Sequence, residues 1–91
     1  KDALEHEFLI NQIPFSREKS YQIKYKDIIL PRGYNADFVV YNKIILESKA
    51  IENLTSSHVK QTLNYLAASK LKLGLLVNFG EDSLNHKRIV L

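Results

Sequence analysis

The sequence predicts an α/β domain in which a mixed central β-sheet is flanked by helices, in the order helix, three or four strands, helix, strand, strand. Three observations predict it. Apolar residues at helical spacing open the chain, and two runs of strand formers around Asp37–Val40 and Ile44–Leu46 meet across three residues. A helical stretch after Thr55 then leads into the nearly continuous apolar run Leu71–Phe79, so the strands on either side of it should be parallel neighbours through a crossover.

Lys1 to Asn11 reads as a helix, with Leu4, Phe8 and Asn11 on one stripe and Ala3 and Ile10 beside it. Glu7 falls inside this apolar sector, whereas Glu5 and His6 point elsewhere. A core-facing acid needs a partner, because a lone buried carboxylate is costly. Pro14 disfavours helical geometry in Ile13 and ends the helix. Phe15 to Tyr25 alternates as a strand, Lys26-Asp27 turns the chain, and Ile28-Ile29-Leu30 is a short apolar run stopped by Pro31. With the hairpin that follows, these form an antiparallel meander of about three strands.

Residues 35–50 read NADFVVYNKIILESKA. Pairing Val40 with Ile44 leaves Tyr41-Asn42-Lys43 as a three-residue loop, a common hairpin type. In that register Ala36, Phe38, Val40, Ile44, Leu46, Ser48 and Ala50 share one face. Asn35, Asp37, Val39, Ile45, Glu47 and Lys49 share the other. A one-residue slip would bury charge among aliphatics. Two carboxylates and an ammonium therefore converge beside Val39 and Ile45, as a cross-strand salt bridge or as a functional cluster.

Thr55 is the expected cap of the second helix, with Ser57 competing. Val59, Leu63, Leu66 and Lys70 mark its buried stripe, with Ala67 near the centre, and His58, Gln61 and Tyr65 form a polar flank. Gly80-Glu81-Asp82-Ser83 turns the chain into a last strand, Lys87–Leu91.

Composition bounds the rest. Residues 1–91 make one small domain with a single core, 45% apolar and 25% charged, without a membrane-length run. The absence of cysteine excludes disulfides and thiolate metal sites and fits a reducing, cytoplasmic setting. The chain opens on Lys1 and holds no methionine, so the natural N-terminus is expected upstream. A net charge of +3 permits a polyanionic partner. His6, His58 and His86 lack ligand spacing, which argues against a histidine-based metal hydrolase.

Glu7, Asp37, Glu47-Ser48-Lys49 and Gln61 occur in the order of the PD-(D/E)XK nuclease superfamily. Tyr34-Asn35-Ala36-Asp37, Leu46 to Ala50, Leu54-Thr55 through His58 to Gln61, Asn64-Tyr65-Leu66 and Gly74 to Gly80 resemble its small GxxExxY proteins along nearly the whole chain. The resemblance implies a restriction-endonuclease-like αβββαβ core and metal-dependent hydrolysis of nucleic-acid phosphodiesters, DNA before RNA. Asp37, Glu47, the Ser48 carbonyl and Glu7 would hold Mg²⁺ or Mn²⁺. Lys49 would position the water, and Gln61 would contact the water or a phosphate. Three departures stand out: the naming segment would lie upstream of Lys1, Ser48 replaces an aliphatic, and Ser56 replaces a proline. A homodimer would let so small a domain cover a duplex. The alternative is a catalytically silent nuclease-fold module that binds nucleic acid or protein.

Overall fold

The computed structural model describes residues 1–91. Its elements are α1 (Asp2–Ile10), β1 (Phe15–Tyr21), β2 (Lys24–Tyr25), β3 (Ile28–Ile29), β4 (Tyr34–Val40), β5 (Ile44–Lys49), α2 (Ser56–Ser69), β6 (Leu73–Asn78) and β7 (Asn85–Val90). Five strands form one mixed sheet in the order β1-β4-β5-β6-β7. Only β5 and β6 are parallel, joined through α2 as the alternation of elements requires. No helix is long and apolar enough to cross a membrane.

Two apolar clusters line the faces of this sheet. Phe8 and Leu4 of α1 pack on Phe38, Val40, Leu46 and Val77, with Phe15 at the margin. Leu66, Val59 and Leu63 of α2 pack on Ala36, Val39, Ile45, Leu76 and Ile89. The α2 contact is centred on Thr62 and Leu66, which are buried, whereas Ala67 and Lys70 are exposed. Lys70 instead closes the helix in a left-handed conformation, φ 63°. Thr55 caps α2 as expected, and His58 Nδ1 accepts the Thr55 N–H at 3.0 Å.

The expected meander is interrupted. The Phe15–Tyr25 strand breaks after Tyr21, and β2 and β3 form a separate two-stranded hairpin off the main sheet. Tyr25, Ile28 and Ile29 are exposed there, so neither the alternation up to Tyr25 nor the apolar run from Ile28 marks a buried face. β1 pairs directly with β4, from Phe15↔Val40 to Tyr21↔Tyr34. Gly33 lets the hairpin return, because a Cβ there would collide with the Tyr21 carbonyl.

Val40 pairs with Ile44, Val39 with Ile45 and Phe38 with Leu46, the register expected from the sequence. The division of faces needs one correction. Ala36 belongs with Val39 and Ile45 on the α2 side, opposite Phe38. Residues three apart on a regular strand cannot share a face, so the alternation slips at Asp37. The partner strand slips at the same level. Glu18 is left-handed, φ 55°, and neither Glu18 nor Asp37 joins the β1–β4 ladder.

Candidate active site

This slip determines how Asp37 meets the next strand. Pairing of β4 with β5 ends at Phe38↔Leu46, and the Asp37 carboxylate sits in the fork beyond it. Its Oδ2 accepts the Ser48 N–H at 2.8 Å and the Ser48 hydroxyl at 3.1 Å. Asp37 thus takes bonds from β5 that a strand neighbour would otherwise take. Ser48, placed by simple alternation among the core aliphatics, instead turns its hydroxyl to this acid. A hydroxyl has that option and an aliphatic does not.

Glu47 and Lys49 continue from Ile45 at alternate positions. Glu47 is 4% exposed, and its Oε1 is buried without a hydrogen-bond partner. Lys49 Nζ donates to Gln61 Oε1 of α2 at 3.4 Å. The expected approach of Gln61 to the cluster therefore appears as a contact with Lys49.

The first helix behaves differently. Glu7 is exposed, and its Oε2 accepts from Asn11 of the same helix at 3.4 Å, so it does not meet Asp37. At about 100° per residue, burial of Phe8 and Leu4 leaves Glu5 on the flank toward β1 and Glu7 on the other. Glu5 accordingly accepts from Arg17 at 2.6 Å. The side chain at this end that reaches Asp37 is that of Lys1, the residue preceding α1, whose Nζ lies 2.7 Å from Oδ1 and also meets Glu18 at 2.5 Å. No periodicity argument singled out Lys1, since a terminal lysine reads as solvated surface.

The two carboxyl groups are driven apart electrostatically. Burial pushes the Glu47 carboxyl up, the neighbouring Asp37 charge adds to this, and it titrates at about 8. Burial also acts to raise Asp37. The Lys1 ammonium and the Ser48 N–H outweigh it and hold that carboxyl below its usual value. The Tyr65 hydroxyl is raised by burial and then by Glu47 and Asp37, which places it in the field of the same pair.

An orphaned carboxylate oxygen beside a second, ionised carboxylate fits a hard cation. No third acidic or histidine side chain completes a cluster of three. Two carboxylates suit Mg²⁺, which keeps several of its waters.

Asn78 is a supporting residue that periodicity does not reveal. It is buried and pairs in register with Lys49. Its Oδ1 accepts the N–H groups of Ile51 and Gly80 at 3.1 Å each, and its Nδ2 donates to the Ile51 carbonyl at 2.9 Å and to Glu81 at 2.6 Å. This fixes the backbone just after Lys49. The available signal was one amide inside the apolar run Leu73–Phe79, where a buried polar group requires partners.

The family profile described as the PD-(D/E)XK nuclease superfamily matches residues 1–89. Among solved structures, SSO0001 superposes with a TM-score of 0.75 at 22% identity, covering 97% of this chain and 46% of that one. An alkaline exonuclease (LHK-Exo) from Laribacter hongkongensis superposes with a TM-score of 0.55 at 13% identity, covering 98% and 53%. At these identities the likeness carries the fold, and the chain spans about half the length of either protein. No curated protein matches the sequence.

Proposed function

From the chain's membership of the PD-(D/E)XK nuclease superfamily, we propose that it is a divalent-metal-dependent nuclease, of the GxxExxY type, acting on nucleic acid and on DNA before RNA. The observation that carries this reading is the buried Glu47 Oε1 without a partner, next to Asp37 and in sequence with Lys49. A fold keeps such an atom, at a cost of about 1–3 kcal/mol, where a ligand will satisfy it.

Asp37, Glu47 and the Ser48 carbonyl would hold Mg²⁺ or Mn²⁺. A bound cation would polarise the scissile phosphate and acidify water. The remaining roles belong to the chain. The Lys49 ammonium offsets charge growing on the phosphoryl oxygens and orients the attacking water, whose oxygen bonds to phosphorus as the bond to the leaving oxygen breaks. Gln61 fixes Lys49 through its Oε1 and leaves its amide N–H₂ free to donate to phosphate or water. Glu7 has no part in this set. A cytoplasmic location and a homodimer belong to the same proposal.

Lys1 favours a second reading. Its ammonium already neutralises Asp37, as in a silent nuclease-fold module that binds nucleic acid or protein. Incubation with mixed DNA and RNA in Mg²⁺ or Mn²⁺, beside Lys49→Ala, separates the two. The nuclease cleaves, and Lys49→Ala loses about 10²–10³-fold in rate. Equal product from wild type and variant, or none from either, overturns the nuclease reading.

A further inference from the structure

We propose that the recess between α2 and the Gln22–Lys24 segment seats an unpaired nucleotide, so that the active site takes single-stranded or locally opened nucleic acid. This rests on the nuclease reading and adds the form of its substrate.

The recess holds about 540 Å³, within the range of roughly 300–1,000 Å³ usual for small-ligand sites. Gln61 links it to the active site, since it lines the recess and its Oε1 accepts from Lys49 Nζ at 3.4 Å; Tyr65 lies one turn further along the same wall. From Gln61 to Lys70 the recess follows α2 for roughly 13 Å. A larger hollow of about 720 Å³ adjoins the recess at Lys70, between the Tyr41–Lys43 loop and Lys70–Leu73, and carries no carboxylate.

Two residues of the recess wall, Tyr34 and Tyr65, belong to an aromatic stack that Tyr21 begins outside it. Tyr21 stacks on Tyr34 with centroids 5.3 Å apart, and Tyr34 on Tyr65 at 3.9 Å and 5°. Tyr34 is enclosed between two rings, and Tyr65 ends the series. The Tyr34 hydroxyl donates to the Tyr65 carbonyl at 2.8 Å, which fixes the end ring. A nucleobase added to Tyr65 would extend the stack by one member, as bases do on aromatic platforms that bind single strands. A base paired within a duplex presents no free face to it.

The remaining lining completes the chemistry. The amides of Gln22 and Asn64 each offer donors and an acceptor to the edge of an unpaired base. Lys24 and Lys70 stand at the rim, where the phosphates of a strand would pass.

The test is fluorescence anisotropy with labelled 20-nucleotide single-stranded DNA, single-stranded RNA and blunt duplex, in Ca²⁺ to prevent turnover. Cleavage of the same substrates is followed in Mg²⁺. Wild type should bind one or both single strands at least tenfold more tightly than duplex, and the DNA and RNA arms identify the strand. Tyr65→Ala should lose about tenfold or more in single-strand affinity, and Tyr65→Phe, which keeps the ring, much less. Asn64→Ala, on the exposed flank of α2, should change the ranking among homopolymer strands without altering the melting temperature. Lys24→Ala, which touches only the recess, should flatten the salt dependence by about one unit of slope, whereas Lys43→Ala, which touches only the neighbouring hollow, should not. Duplex bound as tightly as single strand, or Tyr65→Ala and Asn64→Ala both without effect, overturns the inference. Cleavage without strand preference removes this inference and leaves the nuclease. Absence of cleavage on every substrate removes the nuclease reading instead, and strand-selective binding through Tyr65 would still be measured in Ca²⁺.

Discussion

The two ends of the β4–β5 hairpin are built on opposite principles. At the turn, Val40 faces Ile44 and Phe38 faces Leu46, paired and buried against Phe8 and Val77. At the open end the ladder stops, Asp37 takes bonds from Ser48, and Glu47 keeps a buried oxygen without a partner. One end is arranged for stability. The other retains a buried acid that an apolar residue of similar size could replace with no loss of packing. That contrast within one hairpin marks the candidate site more sharply than the Asp, Glu and Lys pattern does.

The largest expected effect lies at the turn end. Phe38→Ala removes a fully buried ring that touches Phe8 and Phe15, with centroids 5.2 and 6.0 Å away. It should cost about 3–5 kcal/mol, read as a lower urea midpoint. A loss below about 1 kcal/mol would mean that this end is not the stabilising one.

The open end should respond in the opposite direction. Glu47 titrates at about 8 in the fold, against an ordinary 4.5, so the folded state binds its proton more tightly than the unfolded state does. Stability from this group is therefore complete below about pH 4.5 and lost as pH rises toward and through 8. Glu47→Gln carries no charge and escapes this loss. Without metal it should match wild type near pH 4.5 and exceed it by about 1–2 kcal/mol at pH 8.5, after allowing for a buried amide left short of partners. Denaturant titrations at the two pH values measure this. Equal stabilities at pH 8.5 would show that Glu47 is not destabilising.

How much of this contrast the sequence disclosed depends on the residue. The Val40–Ile44 register was legible, because strand formers alternate on both sides of a short loop and only one pairing keeps charge out of the core. The parallel β5–β6 pair was legible from the apolar run after α2. The position of Asp37 was not, because strict alternation has no term for two strands that slip together at Glu18 and Asp37. Glu7 was misplaced because the nine residues of α1 cover only two and a half turns. A phase error of one residue there exchanges Glu7 for the other flank. Ala67 was misplaced in the same way, with Thr62 taking the buried position. The alternation up to Tyr25 and the apolar run from Ile28 each read as a strand, yet the two segments pair only with each other.

A smaller effect comes from Lys1. Its side chain is 35% exposed, so the bridge to Asp37 is screened and Lys1→Ala should cost less than about 1 kcal/mol at neutral pH. Asp37 is held below its usual value, so its contribution is present above the unfolded value and lost as pH falls through the folded one. The difference between wild type and Lys1→Ala should accordingly vanish in acid. Lys1→Ala should also bind Mg²⁺ more tightly by calorimetry, since a competing ammonium is gone; unchanged affinity would place Lys1 outside the cation's seat.

The most direct measurement is the thermal unfolding of wild type at pH 8 with and without saturating Mg²⁺, beside Glu47→Gln. If the open end is a cation site, metal at roughly ten to a hundred times its dissociation constant adds about 1–3 kcal/mol and raises the melting temperature by several degrees. The shift should be much smaller in Glu47→Gln. A wild-type curve that does not move with Mg²⁺ or Mn²⁺, or a variant curve that moves equally, would contradict it and leave Asp37, Glu47 and Lys49 as a structural charge cluster.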